Sequence, residues 1–95
     1  MRELPIPAIA RTATKATEVV RVWVADGAQH VSVATGIWSD PGAWGILLVD
    51  LARHLARAYA HSNGPEYSDA LDRIKAGFDA EWSRSTDDGR GSLVS

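Results

Sequence analysis

The 95-residue sequence predicts an α+β fold in which an antiparallel β-hairpin, about 18–26 and 30–38, is followed by an antiparallel helical hairpin, about 41–62 and 66–82. Three observations lead there. Valines recur at every second position on both sides of an Asp26-Gly27 pair, which is the period of a strand. From Trp44 onward the large apolar residues return every three or four positions, the period of an amphipathic helix. A second segment with that period begins directly after Ser62-Asn63-Gly64-Pro65, and so short a link makes the two helices antiparallel neighbours. The organisation expected is an extended arm over 1–17, one compact domain over 18–84 and a flexible tail over 85–95.

In the arm, Pro5 and Pro7 bracket Ile6 and favour an extended path, so that Leu4, Ile6 and Ile9 can pack on a neighbour without entering a sheet. The threonine and alanine run that follows has no period and leaves room for one short helical turn before Glu18. In "EVVRVWVADGAQHVSVATGIW", Val20, Val22 and Val24 alternate with Arg21, Trp23 and Ala25, and Val31 and Val33 with Ser32 and Ala34. Asp26-Gly27 suits a type I′ turn, whose two central residues need positive φ. A two-residue loop sets Val22 against Val31, Val20 against Val33 and Trp23 against His30; a four-residue loop sets Val24 against Val31 and Val22 against Val33. Both registers keep the valines on one face. If that face meets the helices, Trp23 points outward beside His30.

Ser39 or Asp40 can cap the first helix, and Pro41 occupies the turn that tolerates proline best. Trp44, Leu48, Leu51, Leu55 and Tyr59 fall on one side, with Asp50, Arg53, His54, Arg57 and His61 opposite. Ile46, Leu47 and Val49 extend the apolar surface into a collar, as expected of a segment covered by more than one neighbour. Gly64 suits the left-handed position that closes a helix, and Pro65 cannot continue it. In the second helix, Tyr67, Leu71, Ile74, Phe78 and Trp82 form a narrow stripe, and Glu66 and Asp69 favour its amino end. Residues 85–95 carry no period and are expected to fray.

Composition narrows the function classes. A net charge of −2 with interspersed signs argues against a nucleic-acid binder, which needs a basic stripe. Without cysteine there is no disulfide, thiolate metal site or cysteine nucleophile. No apolar run approaches the ~18 residues of a membrane span, and the amino end lacks a signal peptide's pattern, so a soluble cytoplasmic protein is expected. A chain this short buries only ~60–65% of its unfolded surface, which makes stability marginal unless a second subunit adds area.

Taken together, "LPIP", "RVWVADG", "GIW" and "AWGILLVDLARH" give the chain its likeness to known sequences. From Leu4 to about Trp82 it resembles a family of small bacterial proteins catalogued as a domain of unknown function. The resemblance implies a compact α+β domain in a bacterial cytoplasm, and it brings no catalytic residues to carry over.

Three groups of residues are candidates for chemistry. Asp50 and His54, four apart on one helix face, can share a proton or a metal, with His61 farther along. His54 and His61, however, stand two turns or roughly 10 Å apart, too far for one ion, so the plain reading is a solvated helix pair and no metal site is expected. Arg53, Arg57, Arg21 and Arg73 would recognise an anion if they converged, but acidic residues are as numerous, and a solvated surface is favoured. Gly42-x-x-Gly45 lacks the lysine and context of a phosphate loop, and no serine-hydrolase elbow occurs. Among the aromatics, Trp44 and Trp82 suit a core. An outward Trp23 needs cover from the arm, from a partner, or from a ligand.

Because a two-stranded hairpin is marginal in water and has exposed edges, a second copy would supply what it lacks. The expected function is therefore binding or protein interaction as a homodimer, by edge pairing or through Trp23, Ile46, Leu47 and Val49, with no cofactor, nucleic acid or membrane involved. The alternative is a small-molecule binder or enzyme with a pocket between the hairpin and the first helix, lined by Trp23, His30, Trp38 and Trp44 with Asp50, Arg53 and His54 as polar groups. A third is an adaptor that offers the Trp23 face to another protein.

Overall fold

Alternating valines need a partner strand to satisfy their backbone, and Asp26-Gly27 provides the reversal that brings one within reach. In the computed structural model, which describes residues 1–84 and 92–95, β1 (Val20–Ala25) pairs antiparallel with β2 (Ala28–Val33). Asp26 and Gly27 have φ of 51° and 76°, the positive pair that a type I′ turn demands. The two-residue loop therefore sets the register: Val20 opposite Val33, Val22 opposite Val31 and Trp23 opposite His30. β2 is shorter than the 30–38 expected and ends at Val33, where the last rung is the Ala34 N–H donating to the Val19 carbonyl at 3.0 Å.

The sheet has a third strand that the two-strand reading leaves out. Leu93–Val94 forms β3, which lies parallel to β2 with Leu93 beside Val31 and Val94 beside Ser32. The Val31 N–H donates to the Ser92 carbonyl at 2.8 Å and so anchors the join. The predicted tail thus carries structure at its end, and residues 85–91 of it lie outside the described residues. Ahead of the hairpin the arm contains one short helix, α1 (Ala8–Thr12), opened after Pro7. These segments form one compact unit, Met1–Ile37 with the terminal strand.

The second unit begins at Trp38 and is the helical hairpin. Asp40 is the cap: its Oδ1 accepts the Gly42 N–H at 2.9 Å, and α2 (Gly42–His61) runs from there for 20 residues. Its closing residue differs from the one expected. Asn63, with φ of 60°, takes the left-handed position, which asparagine tolerates better than most residues. Gly64 is needed for another reason, since a Cβ there would stand 2.8 Å from the Tyr59 carbonyl oxygen, which accepts the Gly64 N–H at 3.0 Å. α3 (Tyr67–Trp82) follows after Glu66.

The face that joins the two helices is not the leucine stripe. Among the described residues, Ala56 and Ala70, at 0% and 3% exposure, are the fully buried ones, while Leu48, Leu51, Leu55 and Tyr59 remain about half exposed. Ala56 lies one residue beyond Leu55, about 100° around the helix, so a seam of small side chains runs beside the large ones. Small residues let two helices approach closely, and bulky ones on the same line would hold them apart. On α3, Tyr67, Leu71 and Ile74 are half-buried beside Ala70, but Phe78 and Trp82 are exposed and stack on each other at 5.5 Å.

Candidate functional site

Strand alternation decides what each side of the hairpin offers. Arg21, Trp23 and, across the register, His30 share the face opposite the valines. Trp23 and His30 are half-buried, whereas Val22 and Val24 on the other face are exposed. A groove of about 620 Å³ lies along β1, lined by Leu4, Pro5, Ile6 and Pro7 of the arm and by Val20, Val22 and Trp23 of the strand.

The arm is clasped to the strand through Arg21. Nη1 donates to Glu3 Oε2 at 3.1 Å, while Nε and Nη2 donate to Glu18 at 3.3 and 3.2 Å. The hydrogen bond and charge of Glu18, supported by Glu3, raise the pKa of Arg21 above its ordinary value. Glu18 could be read from its three-residue spacing, but no local signal marks Glu3, 18 positions away. His30 is engaged at the far edge of the sheet. Its Nδ1 accepts the Ser92 N–H at 3.2 Å and lies 2.8 Å from the Ser92 hydroxyl, an arrangement assigned with the proton on Nε2.

In the helical unit the predicted polar residues take local partners. Asp50 pairs with Arg53 at 3.6 Å, one turn away and exposed, so its carboxylate is directed to the arginine and not to His54. Arg57 lies over the Tyr67 ring at 5.6 Å, a cation–π contact across the helical hairpin. Trp38 meets Trp44 edge-to-face at 5.0 Å, which pins the start of α2 against the preceding chain. Among the described residues, no group of three or more histidine, aspartate or glutamate side chains comes together as a metal site would require. No helix among them is long and apolar enough to cross a membrane.

The predicted interface residues behave differently. Ile46 and Val49 are 68% and 50% exposed, and Leu47 and Trp23 are half-buried. The largest site-like feature of the helical unit is therefore apolar surface: the collar, the row from Leu48 to Tyr59, and the Phe78–Trp82 stack.

The chain is similar to a solved structure from the photosynthetic bacterium Rhodopseudomonas palustrus CGA009, provisionally named a pyruvate dehydrogenase. The two share 40% identity and a TM-score of 0.72 over 92% of this chain and 88% of that one. No curated protein matches the chain. The model of one family spans residues 3–86, covering the arm, the hairpin and both helices, and by that match the chain belongs to the family described as Domain of unknown function (DUF5076).

Proposed function

We propose that the chain is a protein-interaction module that works as a homodimer. One observation carries the reading: among the described residues no side chain larger than alanine is fully buried, while residues as large as Ile46, Leu51, Phe78 and Trp82 are exposed. A fully buried leucine or phenylalanine contributes about 1.5–3 kcal/mol, so leaving this many in water forgoes much of what holds a small domain together. The exposed apolar side chains of α2 and α3 offer the kind of surface that a second chain covers. A bacterial cytoplasmic setting belongs to the same proposal, and the bacterial origin of the structural relative supports it.

The test is association. Sedimentation at micromolar concentration is expected to give about twice the 10.2 kDa chain mass, and the double substitution Leu51→Glu with Leu55→Glu is expected to shift the protein to the single-chain mass. A wild-type protein that sediments as one chain would remove the reading.

A second reading, small-molecule binding, has the groove beside Trp23 in its favour, because its volume falls within the ~300–1,000 Å³ usual for ligand sites. It predicts that Trp23→Ala abolishes any ligand-induced rise in melting temperature without altering the association state. The interaction reading predicts that no such rise is found with the wild type.

A further inference from the structure

β1 is the outer strand of a sheet whose order is β1-β2-β3. The two-residue turn makes Ala25 and Ala28 a hydrogen-bonded pair, and the Ala34 N–H donating to the Val19 carbonyl keeps the same phase at the other end. Every second residue of β1 therefore bonds inward to β2, and Val20, Val22 and Val24 turn their N–H and C=O groups to the open edge. Among the described residues, no backbone hydrogen bond from outside the hairpin reaches those three. The arm cannot serve there as a regular strand, because Pro5 and Pro7 have no N–H to give. The groove beside it is lined by Val20 and Val22 from one face of β1 and by Arg21 and Trp23 from the other, so it follows this edge. The strand itself, Val-Arg-Val-Trp-Val-Ala in unbroken register, has none of the proline, lysine or bulge that commonly protect an edge.

We propose that the occupant of this edge is β1 of a second copy, running antiparallel across a two-fold axis at Val22 and joining the sheets in the order β3-β2-β1-β1-β2-β3. This rests on the homodimer reading and names a contact made wholly by residues of the sheet unit. An antiparallel partner must present outward groups of its own at the same spacing, and a second β1 does so. The axis position follows from what each register brings together. With the axis at Val22, Val20 faces the partner's Val24, Val22 faces its twin, and every outward group of the three valines is bonded. On the other face, Arg21 then stands beside the partner's Trp23, and the symmetry repeats the contact. Glu3 and Glu18 hold the edges of the Arg21 guanidinium in its plane, which leaves the flat of the group to lie over an indole, the ring that attracts a cation best. An axis at Arg21 would set two like charges directly opposite each other. An axis at Trp23 would leave Val20 facing the turn at Asp26 and Arg21 beside the partner's Ala25.

The chain has no cysteine, so one introduced thiol reports one contact. In a hydrogen-bonded antiparallel pair the Cα atoms stand ~5.5 Å apart, within the reach of a disulfide. Val22→Cys under mild oxidation is therefore expected to give several-fold more two-chain disulfide than Val24→Cys. Chance collision predicts the reverse order, since Val24 is 74% exposed and Val22 55%. Val20→Cys and Val24→Cys chains, refolded together, are expected to link to each other several-fold more than either links to itself, which guards against a local misfit at Val22. Product from neither Val22→Cys nor the mixture, or as much from Val24→Cys alone, would overturn the edge pairing. Sedimentation of the wild-type protein separates the two claims. A dimer without these products refutes the edge contact alone, whether the arm or a foreign strand then holds that edge, and a single-chain mass refutes the homodimer too.

Discussion

At Gly64 one added methyl group meets backbone rather than a movable side chain, because the Tyr59 carbonyl oxygen would lie 2.8 Å from it. Gly64→Ala is therefore expected to cost more than about 1 kcal/mol in urea unfolding, whereas Asn63→Gly, at a positive φ that glycine enters freely, is expected to be neutral or mildly stabilising. Equal effects from the two would show that the closing turn is misdescribed. Sequence marks this turn by its Asn-Gly-Pro composition but not which residue takes which task, because both residues serve in such closures. The ion pairs belong to this scale too. Asp79, hydrogen-bonded to Lys75 at 2.7 Å, raises the pKa of that lysine. A raised pKa means that the support is present at neutral pH and is lost only as pH climbs past ordinary lysine titration at about 10.4 and through the raised value. The melting-temperature gap between the wild type and Lys75→Met should thus be small and constant through neutral pH and close only in strong alkali; a gap that closes on mild acidification instead would contradict this.

Among the elements, α2 is legible in its position and misleading in its packing face. Its start follows from Asp40 before Pro41, and Asp40→Ala is expected to cost about 1 kcal/mol, since Oδ1 alone satisfies the Gly42 amide. No loss in thermal unfolding would mean that the cap is dispensable. The period that located the helix does not identify its partner, however. A leucine row says that a face is apolar, and the choice of neighbour was decided by size, with Ala56 and Ala70 at the helical seam. Ala56→Leu is expected to destabilise by about 1–3 kcal/mol through overpacking, in contrast to the exposed Leu55→Ala, whose effect should appear in association instead. If Ala56→Leu left the unfolding midpoint unchanged, the seam would have to lie elsewhere. The hairpin is more fully legible: Asp26-Gly27 marks the reversal, and positive φ at both residues selects the two-residue loop from the two registers the sequence allows. β3 could not be read that way: two residues, Leu93 and Val94, make no period, and their pairing with β2 joins positions some 60 residues apart.

For the whole molecule, the sequence predicted that a hairpin of valines would need cover and placed the exposed residue at Trp23. In the structure Trp23 is half-buried, Val22 and Val24 on the valine face are exposed, and the arm is tied to the strand by the reach of Glu3 to Arg21. Such a tie is set by tertiary geometry between exposed groups, which no spacing rule encodes. If a second copy completes the fold, stability must depend on protein concentration, and the melting temperature should rise as the chain is concentrated. The most direct measurement is the mass of the folded species in dilute solution by sedimentation equilibrium. The account predicts about twice 10.2 kDa with folded circular dichroism; a folded, cooperatively melting species of one chain mass, unchanged by concentration, would contradict it.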